Sequence, residues 1–199
     1  QSFARLGSKV TLVTHADRLL PREDPEVSER VHAEFRRQHV KVHANYNPLF
    51  FGAAENEQTC VFSTPRGQRK LSFDRVLLAV GRSANVEGLG LENLGIAVGP
   101  EGTVEVDAFL RTAIPTIFAC GDVAGPYMFT HMASHQAWYA AVNALFGRFR
   151  TFKVDYSVVP WATFTDPEVA RVGLNEDEAR AANIAFEVSR YELSELDRA

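Results

Sequence analysis

The chain holds only two cysteines, Cys60 and Cys120, and they lie far apart with neither CxxC nor zinc-ribbon spacing. That scarcity argues against a disulfide scaffold, predicts a reducing, cytoplasmic setting, and leaves each thiol as a small hydrophobe in an apolar or alternating run. A basic excess is lacking too. Lys and Arg number 21 against 25 Asp and Glu, for a formal charge of -4, and form no stripe, so nucleic acid is not an expected partner. No apolar run approaches the roughly 20 residues that a bilayer span needs; "VLLAV", Val76 to Val80, is representative. No membrane segment is expected, and no repeat or low-complexity tract is visible. There is no initiator Met and no signal peptide. The opening "QSFARLG" reads as the tail of a helix closed by Gly7, so a fragment of a longer chain is expected.

What is present has ordinary globular proportions, 46% apolar and 23% charged over 199 residues, which fits one or two domains. After Gly7, "KVTLV" supplies a β-branched strand. Asp24-Pro25-Glu26 then offers an N-cap, a proline suited to the first helical position and an acid at the positive dipole end. Val27, Val31 and Phe35 repeat on one helical face, and "VKVHA" follows as the next strand. Strand, helix, strand in this order predicts a parallel βαβ unit with a right-handed crossover.

From Gln58 to Phe73, two alternating runs around Pro65-Arg66-Gly67 predict a hairpin. It feeds "DRVLLAVG", apolar on both faces and therefore expected in the middle of a covered sheet. A glycine-punctuated stretch from Gly88 to Gly102 leaves room for loops and short strands. "TIFAC" predicts a strand, and a helix is expected over about 130–146 with Gly147 as its stop. "VVPWATFTDPEVARVGL" then gives two β runs around Asp166-Pro167, Asn175 with Glu178 forms a capping box, and "FEVSRYEL" predicts a last strand. The change from βαβ to hairpin-and-helix signals sets a domain boundary near Lys153.

Two strand ends carry chemistry. In open α/β sheets, ligands bind outside the carboxyl ends of the strands. "TIFACGD" puts Gly121 and Asp122 there: the glycine lets a ligand approach the backbone, and the carboxylate can accept from a sugar or polyol hydroxyl. A helix starts soon after, and its first amides suit a negatively polarised group. "LLAVGRSAN" does the same with Gly81 and Arg82. Taken singly, each Gly-polar pair reads more readily as a solvated turn than as a site.

Together they resemble a known constellation, the FAD-dependent pyridine nucleotide-disulfide oxidoreductases, in which "ATGRxPN" closes one domain and "TxxPxIFAxGD" forms the second flavin-binding motif. The likeness covers nearly the whole chain. "GSKVTLVTHADRLLPREDPEVSERV" is similar to the segment after the nicotinamide-binding glycine motif, "FTHMASHQAW" to the helix start under the flavin, and "PWATFTDPEVARVGL" to the opening of the dimerisation domain. "LPREDPEVS", "VVPWATFTDPEVA" and "YELSELDRA" look more like mercuric reductase-like members than lipoamide or glutathione enzymes. The fold implied is α/β: portions of parallel-sheet Rossmann-like nucleotide-binding domains, then the start of an α+β dimerisation domain. The divisions expected are 1–80 for the end of the NAD(P)-binding domain, 81–152 for the returning FAD segment and 153–199 for the interface domain.

The resemblance implies that Asp122, after Gly121, bonds the ribityl chain of FAD, that the backbone at Met132 and Ala133 faces the flavin pyrimidine edge, and that His131 lies close by. Gly81 and Arg82 would sit at the junction of the nicotinamide and flavin domains. His131 and His135, one helical turn apart, also have the spacing of a metal pair. The flavin reading uses the same helix start and no third ligand is suggested, so no metal is expected. Members that use NADH tend to carry an acid after the second strand, and NADPH users carry arginines for the 2'-phosphate. Here Thr14-His15 occupies that place, with Arg18 and Arg22 nearby. The lean is to NADPH, with solvated arginines as the alternative.

The implied activity is hydride transfer from NAD(P)H through FAD to a disulfide or a thiolate-bound acceptor such as Hg(II), in a homodimer formed through the C-terminal domain. By the same resemblance, the glycine-rich cofactor motifs and the redox cysteine pair would precede Gln1, and the catalytic His-Glu pair would follow Ala199. The 199 residues alone are therefore expected to be inactive. A dihydrolipoamide dehydrogenase-like enzyme and a non-catalytic nucleotide-binding or assembly module are the alternatives.

Overall fold

In the computed structural model, which describes residues 1–54 and 57–196, the chain opens on a short helix, α1 (Ser2–Arg5). Its end is a Schellman turn: Gly7 has φ +96°, Ser8 N donates to Phe3 O and Gly7 N to Ala4 O. Strand β1 (Thr11–Val13), helix α2 (Pro25–Arg37) and strand β2 (Lys41–His43) follow, with β1 and β2 parallel and Leu12 opposite Val42. This is the expected βαβ unit. Pro25 stands in the first turn as expected, but the Asp24 side chain makes no cap bond; its Oδ1 accepts from Glu176 N at 3.3 Å. Val31 and Phe35 face inward with Leu19 and Val40, flanked by Val10, Leu12 and Val169. Each such side chain removed from water contributes about 1.5–3 kcal/mol. On the outer face Arg37 forks onto Glu34, and with Gln38 it pulls the Glu34 carboxyl down to about 2.

The hairpin is present as β4 (Glu57–Thr64) and β5 (Gly67–Phe73), paired antiparallel. It gains a strand that sequence reading missed, β3 (Asn47–Ala54), which pairs with β4 through an irregularity between Pro48 and Phe50. Strands β6 (Pro160–Thr163) and β7 (Val169–Val172) form the expected second hairpin. Helix α4 (Glu176–Ala181) starts on the predicted capping box of Asn175 and Glu178. All of these elements belong to one compact unit, Gln1–Leu77 with Pro160–Ala199.

Leu78–Val159 is the second unit. Its one α-helix among the described residues is α3 (Thr130–Phe146), with Gly147 as C-cap. Met132, Gln136, Ala140 and Asn143 make its buried stripe. The two polar members are satisfied: Asn143 Nδ2 donates to the Phe109 and Phe152 carbonyls, and its Oδ1 accepts from Phe152 N. Asp107 organises the loop before α3, accepting from the amides of Phe109 and Arg111 and pairing with the Arg111 guanidinium at 2.9 Å. Partial burial pushes this carboxyl up, but the two amides and the guanidinium outweigh it and hold it below its ordinary value of 3.8. A carboxyl depressed in the folded state adds stability above its ordinary value and loses it as pH falls through the lower folded one. Asp107→Asn should therefore flatten the acid-side drop in urea midpoint as the pH falls through and below 3.8; equal drops in both proteins would remove Asp107 from the acid response.

Three expected strands are absent. Val76, Leu77, Leu78 and Val80 are 51%, 77%, 64% and 88% exposed, and no described strand pairs with them. A run apolar on both faces needs neighbours on both edges and both faces, and the parallel sheet among the described residues has only β1 and β2. "TIFAC" is reduced to a single bridge, Phe118 to Arg111. "FEVSRYEL" forms no ladder; it is tethered to α2 by Arg190 to Glu26 at 2.9 Å and by Glu192 to Arg30 at 3.7 Å. The last part of "YELSELDRA", residues 197–199, lies outside the described residues. Among the described residues no helix is long and apolar enough to cross a membrane. Both cysteines are free, and burial pushes the Cys60 thiol up.

Candidate functional site

The second unit brings together seven of the residues singled out from sequence. Gly121 opens a 3-10 turn, Gly121–Val123, and is buried with φ +79°. A Cβ there would stand 3.2 Å from the Ala133 Cβ, so only glycine allows this turn to lie against the first turns of α3. The Asp122 side chain is exposed and hydrogen-bonds to no described residue. It is held out as an acceptor with open valences.

What fixes that turn is Gln136, a residue that sequence reading did not assign to the site. Fully buried, its Oε1 accepts from Gly121 N at 2.5 Å, while its Nε2 donates to Gly125 O at 2.5 Å and to the Tyr156 hydroxyl at 2.8 Å. One side chain thus clamps both ends of Gly121–Gly125 onto α3. Burial pushes the Tyr156 hydroxyl up, so it stays protonated. The available signal was a glutamine one turn after Met132, on a stripe that would otherwise be apolar.

The two sequence motifs meet through Arg82. Its Nη1 donates to the Met128 carbonyl at 2.6 Å, across 46 residues, just ahead of the α3 N-terminus. Gly81 has φ +127°, a backbone that favours glycine at this bend. His131 is exposed, Met132 is buried and Ala133 half-buried. The α3 N-cap, Phe129, supplies no side-chain cap, and a helix start directs its first amides outward with a partial positive charge. His135, the other half of the spaced histidine pair, has its Nε2 2.9 Å from the Asp155 carbonyl. A groove of about 580 Å³, lined by Thr103, Asp107, Leu110, Gly125, Met128 and Tyr156, adjoins the Gln136 network. Asp122 does not line it.

The remaining four residues lie in the first unit, on the loop between β1 and α2. Thr14 ends the parallel strand: its N–H donates to His43 O, and its Oγ1 accepts from Ala16 N at 3.2 Å. His15 and Arg22 are exposed. Arg18 is turned onto its own loop, donating to the carbonyls of Pro21 and Glu23 at 3.3 and 3.4 Å. Arg22 is thus the more exposed arginine of the pair.

A family model described as pyridine nucleotide-disulphide oxidoreductase matches residues 1–137, and the dimerisation domain of the same family matches 159–199. This chain belongs to the pyridine nucleotide-disulphide oxidoreductases. Members of the family use FAD and NAD(P)H. Mercuric reductase of Streptomyces lividans is 38% identical over 202 residues, which span 100% of this chain and 41% of that protein. Dihydrolipoyl dehydrogenase of Chlamydia pneumoniae is 34% identical, over 99% of this chain and 41% of that one. Among solved structures, the HOCl-induced flavoprotein disulfide reductase RclA from Escherichia coli superposes with a TM-score of 0.77 at 33% identity, over 90% of this chain and 40% of that one. The chain therefore spans about two-fifths of the length of the relatives it matches. The Rossmann-like α/β fold with the opening of a dimerisation domain is that of the family.

Proposed function

We propose that the whole protein passes hydride from NAD(P)H through FAD to a disulfide or thiol-bound acceptor, and that its homodimer forms through the C-terminal segment. The observation that carries the flavin part is the Gln136 clamp, which presents the unpartnered Asp122 carboxylate beside the α3 N-terminus. These residues fit FAD: the Gly121 turn, packed tight on α3, holds Asp122 at the helix start, and an open carboxylate suits the ribityl hydroxyls. FAD, when bound, supplies two-electron redox chemistry. Asp122 accepts from the ribityl chain, the backbone around Met132 and Ala133 faces the pyrimidine edge, with His131 beside it, and Arg82 braces the Met128 loop at the junction with Gly81. Thr14, His15 and Arg22 form the ribose side of the nicotinamide nucleotide site, with Arg18 bracing their loop, and the lean to NADPH rests on the exposed Arg22. Residues 1–80, 81–152 and 153–199 are the NAD(P), FAD and interface portions in this reading; the unit limits at Leu77 and Val159 fall near its two boundaries, while 1–77 and 160–199 share one compact unit.

Asp122→Ala in the full-length protein should weaken FAD retention about 10- to 100-fold, the loss of a charged hydrogen bond of about 1.5–3 kcal/mol. Flavin absorbance after dialysis measures it, and undiminished flavin would leave Asp122 a turn residue. For the acceptor we favour a thiol-bound substrate such as Hg(II), on the 38% identity to a mercuric reductase. A dihydrolipoamide dehydrogenase-like enzyme, which would take the disulfide lipoamide as acceptor in this direction, is the second reading, favoured by the 34% identity to a dihydrolipoyl dehydrogenase. NAD(P)H-oxidation assays with each acceptor separate them: lipoamide-dependent oxidation without Hg(II)-dependent oxidation would select the second.

A further inference from the structure

Residues 20–23 of the β1–α2 loop form a tight turn in which Glu23 N donates to Leu20 O at 2.9 Å and Leu20 has φ +47°. A branched residue at positive φ persists only when its surroundings over-determine it. From inside the loop, Arg18 holds the Pro21 and Glu23 carbonyls. From outside, Arg171 on β7 donates Nη1 to the Arg22 carbonyl at 2.8 Å, across 149 residues. Asn175 Nδ2 donates to the same oxygen at 2.9 Å.

Arg171 is itself locked. Its Nη2 pairs with Glu178, its Nε donates to Gly173 O at 3.1 Å, and its Nη1 is 3.7 Å from Glu23 Oε2. Its guanidinium lies 4.5 Å from the Trp161 ring centroid, and Trp161 Nε1 in turn donates to Glu23 Oε1 at 2.9 Å. The side chains of Arg171 and Glu23 are 9% and 8% exposed. A planar, buried guanidinium with this many partners fixes its target more tightly than a surface contact does.

We propose that Arg171 and Asn175, which lie in the segment matching the dimerisation domain, are positioning residues for the nicotinamide nucleotide. By holding the Arg22 carbonyl they set the direction in which the exposed Arg22 side chain leaves the loop, and with it the affinity for a 2'-phosphate. The proposal rests on the reading of the Thr14–Arg22 loop as the ribose side of that site. Neither residue touches the nucleotide; both act through Arg22.

The test uses full-length, flavin-loaded protein, with NADPH and NADH as alternative donors and ferricyanide as acceptor. Glu23→Gln/Arg171→Met removes both buried charges together and the grip on Arg22. Asn175→Asp keeps the cap on α4 and turns the donor to the Arg22 carbonyl into an acceptor. The double variant should raise KM for NADPH about tenfold and Asn175→Asp about threefold. In both, kcat and flavin content should stay within about twofold, and KM for NADH should move less. Glu23→Gln alone leaves Arg171 on the Arg22 carbonyl with its Glu178 and Gly173 partners, so its KM for NADPH should move less than that of the double variant. Arg22→Ala calibrates the site. If Arg22→Ala raises KM for NADPH while the double variant and Asn175→Asp leave it unchanged, the positioning role is overturned. If Arg22→Ala changes nothing, the loop reading itself fails and the proposal with it. Should the double variant not retain flavin, the Asn175→Asp result decides.

Discussion

Gln136→Ala should cost about 3–5 kcal/mol of stability and empty the flavin site of the full-length protein. Alanine is the best helix former, so the loss would not come from α3 itself. It would come from what the side chain leaves behind: the Gly121 N–H without its acceptor, and the Gly125 carbonyl and Tyr156 hydroxyl without their donor. Each buried polar group stranded in this way costs about 1–3 kcal/mol, and the vacated volume adds to it. Once the Gly121–Gly125 segment is released, Asp122 is no longer presented beside the helix start. Gln136→Glu separates the two contributions. A carboxylate still accepts from Gly121 N–H but faces the Gly125 carbonyl with no proton to donate, so its defect should ease as the pH is lowered. Urea midpoints and bound-flavin absorbance measure both effects. An alanine variant with parental midpoint and flavin content would show that the turn holds without the clamp.

The elements legible in the sequence are those whose signals are local. Asp24-Pro25-Glu26 begins α2, Gly147 ends α3, the turn at Pro65-Arg66 makes a hairpin, and Asn175 with Glu178 starts α4; each lies within a few residues of the element that it delimits. β3 was missed because "NPLFFG" breaks period-two alternation: Pro48 lies beside an irregular register, and Phe50 and Phe51 are both exposed. The runs 76–80 and 116–120 carry strand composition, but a strand is completed by its neighbours: among the described residues no strand pairs with the first, and the second has only the Phe118–Arg111 bridge. The candidate site divides in the same way. Gly81, Arg82, Gly121 and Asp122 were readable as strand-end chemistry, whereas Gln136 was not, because a helical sequence does not say which polar side chain faces inward to a backbone amide. Arg18 had the composition of a phosphate ligand, yet its guanidinium is taken up by the carbonyls of its own loop.

Arg171 is the clearest case of non-local design, and its removal is the second large expected effect. Arg171→Met should destabilise the full-length protein by about 3–5 kcal/mol, because it strands Glu23 in a site where that carboxylate is nearly excluded from water. Replacing both charges together, as Glu23→Gln/Arg171→Met, should restore most of the loss: the amide still accepts from Trp161 Nε1, and the methionine fills space against the ring. The exposed fork of Arg180 with Glu176 and Asp177 is the control. Arg180→Ala should change stability by less than about 1 kcal/mol, since solvent and salt screen such pairs. Urea unfolding of the four proteins at low and high salt reads these differences directly. The Arg171→Met loss should persist at high salt, where screening reaches exposed pairs far more than buried ones. A loss that disappeared with salt would mean that the Arg171–Glu23 contact is hydrated, and the pair would then resemble Arg180 and its partners rather than a clamp on the nucleotide loop.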